Sequence, residues 1–447
     1  MAKRLFGTDG IRGVAGTYPL DPPTVYAAGL ALGRRLSAAG GGAVLIGMDT
    51  RESGPEIAEC LAAGLEDAGV TSQFAGVLPT AGVSYLTETG DFAAGVMISA
   101  SHNPFEDNGI KVFGSNGYKL ADAIEHEVED GIFAVLDENP QPRRRALEAD
   151  ADLEARYLTH LLSAGDAEAR LKPLRLLVDC SNGAASRLAR SYFDSLGVEA
   201  EVFADQPDGR NINVDCGSLH LEGLQEKVRQ SGADLGVAFD GDADRALLVA
   251  DDGAIVDGDA ILLLAGRYLD QKGALPGRRL VTTVMANMGL EAALRDAGIS
   301  MARTAVGDKY VLEEMVASGS ELGGEQSGHI IFKRWANTGD GLLTARMMLE
   351  VLSDSGEPLS RMRQRLVVFP QRLVNVRVKA KPDIGAVPVL ADAIADAERR
   401  LGDRGRVLVR YSGTEPLLRI MIEAADAGDV DELCESLRQT FEAELGV

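Results

Sequence analysis

Three aspartates spaced two residues apart are the strongest chemical signal in the sequence. Asp240, Asp242 and Asp244 directly follow an apolar, strand-like run in "LGVAFDGDADR". Carboxylates this close repel one another unless a cation lies among them, and oxygen ligands favour Mg²⁺ or Ca²⁺ over zinc. An EF-hand loop is excluded, because Arg245 stands where it needs glycine and Asp251 where it needs glutamate. The pattern favours a metal site with room for a phosphate oxygen; a solvated acidic turn is the alternative.

A serine in a turn is the second candidate for chemistry. The stretch "ISASHNP", from Ile98 to Pro104, follows an apolar run and precedes a segment rich in turn-forming residues. Pro104 fixes its own φ and pushes Asn103 towards an extended conformation, so we expect Ser101 on a defined turn. Such a turn suits a nucleophile, but it also suits an ordinary capped turn. The residues by themselves leave both interpretations open.

A stretch near the C-terminus could bind an anion. In "RYSGTEPLLR" a short polar turn could direct N–H and hydroxyl groups at a phosphate, with two forked guanidinium groups beside it. The alternative is a plain hairpin turn. The candidate phosphate ligands are Arg410, Ser412, Gly413, Thr414 and Arg419.

Two more stretches carry polar residues among glycines. In "GGEQSGHI", Glu325, Ser327 and His329 alternate with other residues, so in an extended segment their side chains would share one face and could recognise sugar hydroxyls. A buried structural histidine is the alternative. The loop "GTDGIRG" contributes Arg12 but lacks the spacing of a dinucleotide-binding loop. Since the chain also has no P-loop pattern, nucleotide chemistry has no support.

Charge and cysteine content exclude several classes of protein. The 447-residue chain carries 45 basic and 68 acidic residues, and its net charge of −23 disfavours nucleic acid and anionic membranes as partners. It has no run of 18 apolar residues and no signal-peptide pattern, which predicts a cytoplasmic protein. The four cysteines lie far apart, so we expect reduced thiols and no structural zinc.

A repeated α/β framework must position these stretches. A strand, a polar loop, a helix and a hinge recur three times, beginning at "GAVLIGMDTRES", "LRLLVDCSNGAAS" and "RRLVTTVMANMGL". The helices end alike at Gly69, Gly197 and Gly298, where a left-handed cap is expected. The end of the chain instead alternates like strands with one wet face, followed by amphipathic helices. We predict three related α/β domains with mixed sheets and a smaller C-terminal α+β domain, over residues 1–155, 156–255, 256–367 and 368–447.

Together, the motifs resemble those of the α-D-phosphohexomutase superfamily. The segments "GTDGIRG", "ISASHNP", "DGDADR", "GGEQSGH" and "RYSGTEP" occur in that family's order along nearly the whole chain. The resemblance implies four domains around a central cleft. It also implies that Ser101 carries a phosphoryl group between turnovers, and that Mg²⁺ is held by Ser101, Asp240, Asp242 and Asp244.

The resemblance implies roles for further residues. Lys111, Arg12 and His102 are expected to join Ser101 in the catalytic group, where Lys111 and Arg12 would assist proton transfer and hold charge. Substrate contacts are expected from Glu325, Ser327, His329 and Asp308. The non-reacting phosphate would be held by Arg410, Ser412, Gly413, Thr414 and Arg419.

Within the family, "PDGRNINVDCGSLH" is similar to the branch that isomerises glucosamine 6-phosphate to glucosamine 1-phosphate, a step towards UDP-N-acetylglucosamine and cell-wall precursors. The implied route passes through a bisphosphorylated sugar that reorients in the cleft. Lys309 stands where that branch often has arginine, so charge is kept but the forked geometry is lost. The alternative is a mutase for glucose or mannose phosphates; a phosphosugar sensor would need no nucleophile. We expect a phosphosugar as partner and a monomer or homodimer.

Overall fold

The chain forms two compact units. The computed structural model describes residues 5–7, 9–411 and 416–446. The first unit comprises the described residues up to Met285 together with Ala297–Arg365. The second comprises Ala286–Asp296 together with the described residues from Leu366 onwards.

The N-terminal sheet is mixed and carries the serine turn. Its strands are β1 (Phe6–Gly7), β2 (Gly10–Val14), β3 (Ala43–Met48), β4 (Ser72–Val77), β5 (Phe92–Ile98) and β6 (Asp107–Gly114), and its helices are α1 (Pro22–Ala38), α2 (Gly54–Asp67), α3 (Thr80–Thr89) and α4 (Asp122–Asp137). The strand order is β1-β2-β6-β5-β3-β4. Strand β3 pairs parallel with β4 and β5, whereas β6 pairs antiparallel with β5 and β2. Most of β5 is buried, as expected of a central strand covered on both faces.

Helix α5 (Ala151–Ser163) leads from this domain to a five-stranded sheet that carries the aspartate cluster. The sheet consists of β7 (Arg175–Asp179), β8 (Glu199–Phe203), β9 (Leu235–Phe239), β10 (Ala246–Ala250) and β11 (Ile255–Val256), with helices α6 (Ala189–Ser195) and α7 (Glu222–Ser231). Its order is β11-β10-β9-β7-β8. All of β9 is buried, so the polar residues that follow it begin at the edge of the core.

The third sheet has the order β13-β12-β14-β15. Its strands are β12 (Arg279–Thr283), β13 (Ser300–Thr304), β14 (Leu322–Gly324) and β15 (Ile330–Phe332); the helices of this part of the chain are α8 (Gly258–Gln271), α9 (Met288–Asp296), α10 (Asp308–Ser318), α11 (Gly341–Ser355) and α12 (Leu359–Met362). Helix α9 belongs to the second unit, where the N–H of Met288 donates to Glu423 Oε1 at 2.6 Å.

The C-terminal domain is a smaller antiparallel sheet with two helices. It contains β16 (Gln371–Arg377), α13 (Pro388–Leu401), β17 (Gly405–Tyr411), β18 (Leu417–Ala424) and α14 (Ala427–Leu445), in strand order β16-β18-β17. Helix α14 begins at an Asp426 cap and buries a stripe at helical spacing: Val430, Leu433, Cys434, Leu437, Phe441 and Leu445.

The predicted fold class is confirmed. The three predicted repeats are the parallel strand–helix–strand units β3–α2–β4, β7–α6–β8 and β12–α9–β13. Gly69, Gly197 and Gly298 have φ of 77°, 71° and 71°, the left-handed conformation expected after a helix. The four cysteines are buried and free. None of the helices in the described part of the chain is both long and apolar enough to cross a bilayer.

Candidate active site

Ser101 lies on a buried and constrained turn just after β5. Its φ is 53°, the left-handed region that costs a non-glycine residue free energy. Its N–H donates to Ser99 Oγ at 2.8 Å, and Ser99 Oγ donates to Asp49 Oδ2 at 2.6 Å. Ser99 therefore has a structural partner on each side, whereas the Ser101 hydroxyl is turned towards the aspartate cluster.

Arg51 holds the Ser101 turn through hydrogen bonds to its backbone. Although it is fully buried, its guanidinium donates to the carbonyl oxygens of Ser101 at 2.8 Å, Asn103 at 2.9 Å and Asp107 at 2.9 Å. Asp49 neutralises it through a 2.9 Å bond to Nε. Charge-assisted bonds to several carbonyls fix the backbone that presents Ser101.

Residues of the neighbouring α/β domain also contact the Ser101 turn. Asn213 Nδ2 donates to the carbonyl oxygens of Ser101 at 2.9 Å and Asn103 at 3.1 Å. A Cβ at Gly241 would lie 2.4 Å from the Ser101 carbonyl oxygen, so the approach of the two loops requires glycine there. Asn213 belongs to "NINVDCG", so this stretch helps to position the serine.

The three aspartates converge beside Ser101. Ser101 Oγ donates to Asp240 Oδ2 at 2.5 Å, and Thr80 Oγ1 donates to Asp242 Oδ2 at 2.5 Å. One carboxylate oxygen from each of Asp240, Asp242 and Asp244 lies within 4.8 Å of the others, and all three residues are buried. The strand β9 and the turn after it thus bring together the carboxylates that the spacing predicted.

The donor set fits a divalent cation. Asp242 Oδ1 is buried without a hydrogen-bond partner among the described residues. Burial and repulsion from Asp244 and Asp242 hold the pKa of Asp240 well above its usual range. An oxygen-coordinated cation would satisfy the orphaned oxygen and relieve the repulsion.

Two cations lie next to the cluster. Lys111 Nζ, fully buried on β6, is 2.7 Å from Asp242 Oδ2 and 3.1 Å from Asp9 Oδ2. Burial lowers the pKa of Lys111, but Asp242, Asp9 and Asp244 outweigh it and hold that pKa well above its usual value. Arg12 donates to the Ala100 carbonyl at 3.2 Å and is paired with Asp9. Lys111 therefore stays charged at neutral pH, and together with the Arg12 guanidinium it can stabilise negative charge near Ser101.

His102 contacts the same hydroxyl. Its Nδ1 is 3.2 Å from Ser101 Oγ. Burial, with Arg245 and Arg12 nearby, lowers the pKa of His102 to about 4. The ring is therefore neutral at physiological pH and can orient the hydroxyl without adding a charge.

The prediction that residues 325–329 form one extended face is wrong. These residues form the turn between β14 and β15, in which the N–H of Gly328 donates to the Glu325 carbonyl at 3.0 Å. Gly328 has φ of 90°, which ends the strand alternation. Ser327 Oγ donates to Glu325 Oε2 at 3.3 Å, so these two side chains lie together. They line a cavity of about 300 Å³ with Thr283, Met285, Val306 and Gln326.

His329 is in a different position from its predicted companions. It is buried, and its Nε2 accepts the N–H of Gly339 at 2.9 Å. Nδ1 lies 3.6 Å from Asp244 Oδ1, and Nε2 lies 3.5 Å from Asp308 Oδ2. His329 thus links the aspartate cluster to Asp308 at the start of α10. Lys309, the next residue, donates to Asp122 Oδ1 at 2.6 Å.

In the second unit, the predicted phosphate ligands are described only in part. Arg410 and Arg419 are half-buried and face each other in register on β17 and β18. Burial and the neighbouring Arg419 lower the pKa of Arg410. Ser412, Gly413 and Thr414 lie outside the described residues.

Sequence reasoning missed several residues of the site: Asp9, Arg51, Thr80, Lys119 and Asn213. Arg51 could have been found, because "DTRES" follows strand β3 just as "SHNP" follows β5, and polar residues at the carboxyl ends of parallel strands meet at one edge. Asp9 lies inside the quoted "GTDGIRG" loop. Asn213 lies inside the quoted "PDGRNINVDCGSLH", whereas Lys119 carries no such local signal.

Models of the phosphoglucomutase/phosphomannomutase family match the chain four times. Its α/β/α domains I, II and III match residues 3–138, 155–253 and 257–368, and its C-terminal domain matches residues 373–440.

Similar proteins extend over the whole chain. The phosphoglucosamine mutase of Solibacter usitatus (strain Ellin6076) is 51% identical over 447 residues, covering 100% of both chains. That of Koribacter versatilis (strain Ellin345) is 51% identical over 454 residues, covering 100% of this chain and 98% of the relative. A crystal structure of a phosphoglucomutase/phosphomannomutase family protein from Burkholderia thailandensis superposes with a TM-score of 0.83 at 26% identity, covering 99% of each chain. These matches confirm the resemblance predicted from the motifs.

Proposed function

The chain belongs to the phosphoglucomutase/phosphomannomutase family, and we propose that it interconverts glucosamine 6-phosphate and glucosamine 1-phosphate through a phosphorylated Ser101. The protein is an isomerase. One observation carries the chemistry: the Ser101 hydroxyl, on a turn gripped from two domains, lies 2.5 Å from an aspartate of a buried carboxylate cluster. The sugar is inferred from the full-length relatives, which are 51% identical and named phosphoglucosamine mutase.

In the proposed cycle, phospho-Ser101 donates its phosphoryl group to the 1-hydroxyl of the sugar 6-phosphate. The O–P bond to Ser101 breaks as the bond to the sugar oxygen forms, and the proton lost by the 1-hydroxyl is passed to the released Ser101 oxygen. The bisphosphorylated sugar then reorients, and Ser101 takes the phosphoryl group from the 6-position as the bond to the 6-oxygen breaks and that oxygen receives the serine proton. One residue therefore serves as leaving group and nucleophile in turn.

The surrounding side chains divide the remaining work. Lys111 and Arg12 would assist proton transfer and stabilise the charge of the transferring group, while neutral His102 orients the Ser101 oxygen. A divalent cation, which we propose to be Mg²⁺ held by Asp240, Asp242 and Asp244 with the phosphorylated serine, would neutralise phosphoryl oxygens.

Substrate recognition is assigned to two other regions. Glu325 and Ser327, adjacent on the turn after β14, would bind sugar hydroxyls in their shared cavity. Asp308 and His329, whose side chains lie 3.5 Å apart, would add further substrate contacts. The pair Arg410 and Arg419, with Ser412, Gly413 and Thr414, would hold the phosphate that is not reacting.

The proposal also includes the domain organisation and the oligomeric state. The chain would form four domains, with boundaries near residues 155, 255 and 367, and would act as a monomer or homodimer.

Side-by-side kinetics test the substrate. We expect kcat/KM for glucosamine 6-phosphate to exceed that for glucose and mannose phosphates by about tenfold or more, because one mismatched polar partner costs ~1–3 kcal/mol. Equal or better turnover of glucose or mannose phosphate would place the protein in the other branch of the family. Failure to isomerise any of the three sugars would overturn the proposed activity.

A further inference from the structure

Lys119, which no sequence motif identified, joins two carboxylates from different domains of the first unit. Its Nζ lies 2.5 Å from Asp9 Oδ1 and 2.6 Å from Asp308 Oδ2. The side chain is only 12% exposed. An ammonium group this deeply buried is tolerated when it is paired, and here it is paired on both sides.

Each carboxylate leads to a different part of the proposed reaction. Asp9 uses its other oxygen, Oδ2, to contact Lys111 Nζ at 3.1 Å. Asp308 begins α10, and the residue before it, Gly307, donates its N–H to Glu325 Oε1 at 3.2 Å. Lys119 is thus a link between the cations beside Ser101 and the carboxylate proposed to recognise the sugar.

We propose that Lys119 is a positioning residue that sets the sugar-binding turn, residues 325–328, at a fixed distance from Ser101. This inference rests on the proposed function. Without the Lys119 charge, Asp9 and Asp308 face each other as like charges that were held by a single nitrogen. Their repulsion displaces the start of α10, and the Gly307 N–H that anchors Glu325 moves with it.

Lys309 provides a matched control. It is also 12% exposed, it is adjacent to Asp308, and it also reaches the N-terminal domain, where it donates to Asp122 Oδ1 at 2.6 Å and to the Leu120 carbonyl at 2.9 Å. Asp122 is 54% exposed, so solvent screens this ion pair. Lys309 therefore tests the loss of a lysine bridge between the same two domains without breaking the link from Asp9 to Asp308.

Steady-state kinetics separate the two lysines. We expect Lys119→Met to raise KM for glucosamine 6-phosphate by about tenfold or more, with a smaller effect on kcat, and Lys119→Arg to restore most of the affinity. Lys309→Met should change KM by less than about threefold. An unchanged KM in Lys119→Met, or equal losses in both methionine variants, would overturn the inference.

Binding measured without turnover distinguishes this inference from the proposed function. In a Ser101→Ala background, calorimetry with glucosamine 6-phosphate should show about tenfold weaker binding after Lys119→Met, but less than about twofold further loss when Glu325→Gln is already present. Full additivity of the two changes would overturn the role through Glu325. If Lys119→Met does not fold, Asp308→Asn breaks the same link and must weaken binding equally; unchanged binding there is equally decisive. A wild-type protein that binds the sugar but does not isomerise it would refute the mutase function alone.

Discussion

The Ser101 turn and the arginine pair of the C-terminal sheet differ in their electrostatic contacts: the turn is held by attractive contacts, whereas the two arginines repel each other. Around Ser101, Arg51 and Asn213 both donate to the carbonyl oxygens of Ser101 and Asn103. In the C-terminal sheet, Arg410 lies directly opposite Arg419. Like charges directly opposite each other destabilise a pair of strands.

This difference corresponds to two tasks: the turn preorganises a reacting group, and the arginine pair is suited to binding an anion. A nucleophile reacts faster when it is already in place, so interactions that fix the turn before the substrate binds lower the barrier to the chemical step. A repelling arginine pair is relieved when an anion binds between the guanidinium groups, and that relief favours the bound state. Changes at the turn should therefore lower kcat, whereas changes at the arginines should raise KM.

The largest effect is expected from the nucleophile. Ser101→Ala should fold but lose activity by about 10³-fold or more, because its neighbour Ser99 is already bonded to Asp49 and cannot replace it. Intact-mass measurement and peptide mapping should find one phosphate, on Ser101. Ser99→Ala is the control, and it should impair turnover without moving the phosphate. Phosphate on Ser99, or wild-type rates in Ser101→Ala, would contradict the assignment.

The carboxylate cluster should give the next largest effect. Asp242→Asn removes one negative ligand and should weaken Mg²⁺ binding and slow turnover by about 10²-fold or more. Thr80→Ala removes a 2.5 Å hydrogen bond to the same carboxylate but keeps its charge, so its effect should be smaller. Calorimetric Mg²⁺ titration of both variants, together with activity in excess chelator, measures this. Full activity under chelation would refute a metal requirement.

Around Ser101, the sequence predicted the reactive groups but not the residues that hold them in place. Ser101 and the aspartates each follow a buried strand, so an apolar run ending in polar residues was enough to find them. Their supports are distant in sequence: Arg51 is separated from Ser101 by 50 residues and Asn213 by 112. Spacing carries no information about such contacts, because they depend on how whole domains pack.

The turn proposed to bind the sugar shows where a local pattern misleads. Alternation over residues 325–329 suggested one extended face, but the positive φ of Gly328 produces a tight turn. A glycine between polar residues is compatible with either conformation, and the pairing of β14 with β15 decides between them. Glu325 and Ser327 nevertheless lie together, because the turn folds one side chain towards the other.

A smaller effect, on KM, is expected in the second unit. Arg410→Gln should raise KM for the sugar phosphate by about tenfold, because a charge-assisted hydrogen bond contributes ~1.5–3 kcal/mol, and thermal stability should be unchanged or higher because repulsion is relieved. Arg406→Gln on the same strand is the matched control. It breaks a 2.7 Å bond to buried Glu423, so it should lower stability and leave KM near the wild-type value. The opposite pattern would remove Arg410 from phosphate binding.

The smallest effect is expected on the pH dependence of stability, and it arises from Asp340, a buried carboxylate of the first unit. Asp340 caps α11 through a 3.0 Å bond from the Leu343 N–H and accepts the Tyr157 hydroxyl at 2.8 Å. Burial outweighs both bonds and raises the pKa of Asp340 from 3.8 to about 6. The folded state therefore holds the proton more tightly, so the contribution to stability is complete below pH 3.8 and is lost as the pH rises through about 6. The loss is at most ~3 kcal/mol.

Asp340→Asn should remove this pH dependence. The amide oxygen can still accept from the Leu343 N–H, and the amide nitrogen can donate to the Tyr157 oxygen, so the variant should be more stable than the wild type near neutral pH and equal to it near the unfolded pKa. Trp335, the single tryptophan of the chain, lies in the first unit, and its fluorescence during urea unfolding reports the midpoint at each pH. Tyr157→Phe provides a change of opposite sign: it removes a bond that favours the carboxylate, so stability should fall more steeply with pH than in the wild type. Parallel pH profiles for all three proteins would show that Asp340 does not titrate in this range.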